Sequence, residues 1–109
     1  MTDRELLELA AKVAGFHDAV WAAKQACVET SMLPGFRCFW NPLTDDGDAL
    51  RLAVKLSIRI YPYTGLGDDV SIAVASGCDR IQQEQNGDPY AATRRAIVRA
   101  AAEIGKEMK

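Results

Sequence analysis

From Trp40 to Leu56 the chain reads W-N-P-L-T-D-D-G-D-A-L-R-L-A-V-K-L, and immediately afterwards the hydrophobic period changes from helical to alternating. That switch constrains the fold more than any other feature, because it forces a helix and a strand to share one core. Asn41-Pro42 favours a turn, since the proline ring disfavours α geometry in the residue before it. Thr44 or Asp45 can cap the helix that follows, and Asp45, Asp46 and Asp48 crowd its first turn, where the dipole favours negative charge. Asp48, Arg51 and Lys55 recur at spacings of three and four and form one narrow wet stripe. The remaining circumference is Ala49, Leu50, Leu52, Ala53, Val54 and Leu56, so the helix is expected to be packed on more than one side.

The segments after it alternate. Ser57 to Tyr61 places Ile58 and Ile60 on one face, and Val70 to Val74 alternates likewise, with Val70, Ile72 and Val74 expected inward. The eight residues between them, Pro62 to Asp69, are rich in turn formers and suit an antiparallel hairpin.

Three further helices are expected. Residues 3–14 carry Leu6, Leu9, Ala10 and Val13 on one face, broadened by Leu7 and Ala14, with Thr2 or Asp3 as cap and Gly15 as stop. Residues 17–28, D-A-V-W-A-A-K-Q-A-C-V within them, have helical propensity. Asp88-Pro89 supplies a cap and an N1 proline for a helix over 89–107. There Tyr90, Thr93, Ile97, Ala101, Ile104 and Met108 form a stripe, and the many alanines suggest a close, flat neighbour. Pro34-Gly35 reads as a turn, residues 37–40 as a short strand that can extend the hairpin, and Ser76 to Gly87 as an exposed loop. The expected class is α+β: a small antiparallel sheet (about 57–62 and 69–75, with 37–40 as an addition) sandwiched by helices at about 3–14, 17–28, 45–56 and 89–107. At 109 residues this is one αβα domain over 1–109.

Composition narrows the function classes. A formal charge of −2 gives no global field toward nucleic acid or an anionic membrane. No apolar run is long enough for a membrane span, and the acidic, amphipathic M-T-D-R-E-L-L-E-L is unlike a secretory signal. Cys27, Cys38 and Cys78, an odd set without C-x-x-C, fit free thiols in a reducing cytoplasm, which is the expected location.

Candidate chemistry is thin. A calcium loop counted from Asp45 would need an acid at its twelfth position, which is Leu56. His17 is the sole histidine, so one subunit has no two-histidine metal site. A pairing of His17 with Cys27 or Cys38 has no local signature behind it. Gly65-Leu66-Gly67 lacks a following lysine and lies between strands, so it reads as turn chemistry. Trp40 and Trp21 read as core or interface anchors. Arg94, Arg95 and Arg99 are the only basic cluster and the one candidate anion clamp, with Arg59 and Tyr61 able to join if their sheet face is uncovered.

Three blocks resemble the phage ABA-sandwich domain family: E-L-L-E-L-A-A-K-V-A-G, W-N-P-L-T-D-D-G-D-A-L-R-L-A-V-K-L and D-P-Y-A-A-T-R-R-A-I-V-R-A-A-A-E-I-G. Together they cover somewhat under half the chain. The resemblance implies a small phage or prophage accessory protein in the host cytoplasm, with helices around a sheet and no assigned activity. The expected function is therefore non-enzymatic, through contact with a host or phage protein. The alternative is binding or sequestering an anionic metabolite or nucleotide, as in counter-defence. No cofactor or metal is expected. Strand edges that need covering make a homodimer the expected self-association.

Overall fold

The structure is a computed structural model and describes residues 2–33, 36–63, 69–75 and 80–108. The order is α1 (Asp3–Ala14), β1 (Val20–Ala22), β2 (Cys27–Leu33), β3 (Phe36–Trp40), α2 (Asp46–Lys55), β4 (Arg59–Tyr63), β5 (Val70–Val74), β6 (Ile81–Glu84) and α3 (Pro89–Glu107). The chain is α+β, and its described residues form two antiparallel three-stranded sheets, β1-β2-β3 and β4-β5-β6. The Pro34-Gly35 turn, the Gly65-Leu66-Gly67 turn and Cys78 lie outside the described residues.

Helix ends follow the local chemistry. The Thr2 hydroxyl accepts from the Glu5 N–H at 3.2 Å, and Gly15 ends α1 in the left-handed region at φ 88°. Asp45 caps α2 by accepting from Asp48 N–H at 2.8 Å, and Asp88 caps α3 by accepting from Ala91 N–H at 3.0 Å, with Pro89 at the start of the helix.

One expected helix is not there. Residues 17–28 instead form β1, a four-residue turn and the start of β2, with Val20 paired to Glu29 and Ala22 to Cys27. Ala26 closes that turn at φ 51°, a left-handed conformation usually signalled by glycine or asparagine. Alanine there hid the hairpin and raised the helical propensity of the window. Residues 37–40 are strand, as expected, but β3 pairs with β2 in the first sheet and does not extend the β4–β5 hairpin.

The β4–β5 hairpin forms with Arg59 opposite Val74 and Tyr61 opposite Ile72. Ile60 on β4 and Ile58 just before it face the core as expected, but the side of β5 that meets α3 is not the expected one. Ser71 and Ala73 turn toward α3 and are fully buried, while Val70, Ile72 and Val74 share the other face with Arg59 and Tyr61, where Ile72 is buried and Val70 and Val74 are half-buried. Alternation sets which residues lie together, not which set faces in. The alanines of α3 (Ala92, Ala96, Ala100) demand small partners, and Ser71 and Ala73 supply them. The span expected as an exposed loop contains β6, whose Ile81 pairs with Ala73 and packs on the core.

Gln85, just past β6, is buried. Its Nε2 donates to Ser71 Oγ (3.2 Å), Ser71 Oγ lies 2.8 Å from Thr93 Oγ1, and Thr93 Oγ1 donates to Pro89 O at 2.7 Å. Thr93 spends its only hydrogen on Pro89, so the Ser71 hydroxyl donates to Thr93 and the chain runs in one direction.

α3 lies against this sheet face, and α1 and α2 lie against α3. At the α1–α3 crossing a Cβ added to Gly105 would sit 2.7 Å from the Leu9 carbonyl oxygen. Trp40 is buried and meets Phe16 edge-on, with centroids 5.2 Å apart. Trp21 is half-buried, with the Arg4 guanidinium 5.6 Å from its ring centre. Pro62 stands on β4, an outer strand of its sheet.

Candidate functional site

The Trp40–Leu56 block closes on itself. Asn41 Oδ1 accepts from Leu43 N–H at 3.1 Å, and the Asn41 carbonyl accepts from Thr44 and Asp45 N–H. The Asp48 carboxylate is buried and accepts from Asn41 N–H at 3.0 Å and from Arg51 Nη2 at 2.7 Å. The supposed wet stripe is thus a set of fastenings, since Lys55 Nζ also donates to the Ala14 carbonyl. The dry side of α2 is only partly covered. Ala49, Leu52 and Ala53 are buried, but Leu50 and Val54 are 60% and 71% exposed. Packing on more than one side is therefore corrected to a single buried face, with an apolar ridge on the solvent side.

Beside that ridge runs a groove of about 400 Å³ between α2, the first turns of α3 and β4. Leu50, Ile60, Pro62 and Ile97 give it an apolar lining, with Tyr90 and Arg94 on the α3 side. Tyr90, expected on the buried stripe of α3, is 72% exposed. It sits one residue into the helix, ahead of the turns that cross the sheet, so the stripe begins to be buried only after it. A groove of this size falls within the roughly 300–1,000 Å³ of small ligand sites. An apolar ridge with i, i+4 spacing next to such a groove is also the pattern by which helices dock.

The three candidate clamp arginines go to three different places. Arg94 lines the groove, donating from Nε to Leu43 O at 2.9 Å and from Nη1 to Asp46 Oδ1 at 2.6 Å. Arg95 lines a separate cleft of about 300 Å³ and donates from Nη2 to Asp3 at 2.8 Å. Arg99 donates from Nη1 to Gln82 O (3.0 Å) and Gln83 Oε1 (2.9 Å) on β6. Among the three only Arg94 reaches the groove. Arg59 and Tyr61 lie on the opposite sheet face from α3.

His17 is exposed and lines another cleft, of about 410 Å³, with Glu8, Lys12 and Trp21. Burial pushes the Cys27 thiol up, with the Asp48 and Glu29 carboxylates adding to it, which disfavours the thiolate a nucleophile needs. Among the described residues no three His, Cys, Asp or Glu side chains are placed to hold a metal ion. Among them, too, no helix is long and apolar enough to cross a membrane.

The sequence reading had Leu50 and Val54 as core and so missed the ridge. The available signal was their spacing: each lies four residues from an acidic or apolar neighbour on the side opposite Leu52. Compared with known proteins, the chain matches no family model, no curated protein and no solved structure. The likeness to phage ABA-sandwich proteins therefore rests on the three sequence blocks alone.

Proposed function

We propose that this chain is a phage or prophage accessory protein that acts by protein–protein contact through the α2–α3 face, without catalysing a reaction. The observation that carries it is the apolar ridge of Leu50 and Val54 beside the groove rimmed by Tyr90. Scattered exposed hydrophobics are ordinary, but adjoining ones on one face mark contact surfaces. The test is site-specific photo-crosslinking in cells expressing the full chain. A photoreactive residue at Val54 or Tyr90 is expected to capture protein, whereas one at Lys24, exposed in the β1–β2 turn, is not. Absence of any protein adduct from both Val54 and Tyr90 overturns the reading.

A second reading has one observation in its favour: Arg94 places a cation in a groove of ligand size. An anionic metabolite or nucleotide with an apolar body would set its charge on Arg94 in competition with Asp46. Native mass spectrometry of gently purified protein would show a reproducible added mass, lost in Arg94→Met.

A further inference from the structure

We infer that the partner of the α2–α3 face is a second copy of this chain, joined through α2 about a twofold axis; this rests on the protein-contact reading and names its partner. The patch is complementary to itself. Leu50 both stands on the exposed ridge and lines the groove, so ridge and groove are adjoining halves of one surface. A twofold contact requires that a single patch supply both the projecting and the receiving part. An axis passing near Leu50 lays the ridge of each copy in the groove of the other, with Val54 toward the far end.

Charge agrees with this arrangement. Along α2 the exposed acids Asp45 and Asp46 stand at the start and the exposed cations Arg51 and Lys55 in the second half, each keeping its partner within the chain: Asp48 N–H for Asp45, Arg94 for Asp46, Asp48 for Arg51 and the Ala14 carbonyl for Lys55. A twofold axis across the helix runs the two copies antiparallel, which sets each acidic end beside the other copy's basic end and opposes the two helix dipoles.

Sedimentation equilibrium of the full chain over a concentration series tests the inference. A dimer is expected whose dissociation constant rises with added salt. Because each substitution enters the contact twice, Leu50→Asp and Val54→Asp should each raise that constant at least about thirtyfold. Lys24→Asp should leave it unchanged. Circular dichroism checks that the fold is kept, and Val54→Ser serves where Val54→Asp does not fold. A chain that sediments as a monomer at every concentration overturns the inference, as does a dimer indifferent to both Leu50 and Val54. Photo-crosslinking from Val54 separates it from the reading beneath it. An adduct of twice the chain's mass supports both. Capture of a different protein by a monomeric chain overturns the second copy and keeps protein contact, and no adduct from either Val54 or Tyr90 overturns both.

Discussion

Gly105 of α3 faces the Leu9 carbonyl of α1 so closely that a Cβ at Gly105 would lie 2.7 Å from that oxygen and 3.1 Å from Val13 Cγ2. In an isolated helix, glycine to alanine is worth about 1 kcal/mol in favour of alanine. Here backbone stands in the way, and overpacking of this kind costs about 1–3 kcal/mol. Gly105→Ala is therefore expected to lower stability in urea denaturation by about 1 kcal/mol, the overpacking cost less the helix-propensity gain. An equal or higher midpoint would mean that the two helices part without cost.

The Ser71–Thr93 pair gives a second prediction. Thr93→Val keeps the shape but takes away the acceptor of the Ser71 hydroxyl and the donor to Pro89 O. A buried group left unpaired costs about 1–3 kcal/mol. Ser71→Ala should cost a similar amount by removing the acceptor of Gln85 Nε2. Because both act on one chain of hydrogen bonds, the double variant should lose less than the sum of the two, by about 0.5 kcal/mol or more. Strict additivity in the denaturation cycle would show that the hydroxyls do not act together.

Ala26 holds φ 51° in the β1–β2 turn. The left-handed region costs an L-residue about 1–2 kcal/mol, and the extra freedom of glycine when unfolded returns roughly 0.5–1 kcal/mol of that. Ala26→Gly is expected to stabilise the protein by up to about 1 kcal/mol, seen as a raised thermal midpoint. A fall would mean that the alanine methyl makes contacts worth more than the strain.

Cys27 is buried, and its thiol is raised above the ordinary range by that burial first and by Asp48 and Glu29 next. A group that holds its proton more tightly when folded supports the fold fully below its unfolded pKa, about 8.5 for a thiol. That support is lost as pH climbs from there through the raised folded value. Cys27 should therefore resist alkylation at neutral pH, and the wild type should lose more stability above about pH 8.5 than Cys27→Ala does. Rapid labelling of Cys27 in the folded protein at pH 7, read by mass spectrometry, would contradict this.

Much of the fold could be read from local chemistry. Thr2, Asp45 and Asp88 cap their helices because each needs only a side-chain oxygen beside a free N–H. The β4–β5 hairpin was legible from its alternation. What escaped depends on the neighbour. β1–β2 looked helical because Ala26 occupies a turn position without announcing it, and the side of β5 that meets α3 was hidden because Val70, Ile72 and Val74 are more apolar than Ser71 and Ala73, although Ile72 is buried as expected. Only the alanine face of α3 decides that choice, and it is far away in sequence. The site was legible to a lesser extent. Arg94 was a candidate and does line the groove, but the spacing of Arg95 and Arg99 could not reveal Asp3 and β6 as their destinations. Exposure of Leu50 and Val54 is a matter of what the fold fails to cover, and an apolar pattern cannot distinguish a core from a contact.

Pro62 brings no amide hydrogen to β4, the strand that borders its sheet. A strand from another molecule that tried to continue the sheet past β4 would meet a gap in the ladder of donors. Open-ended, fibre-like growth is thereby discouraged on that side, and association there is left to side chains, whose contacts saturate.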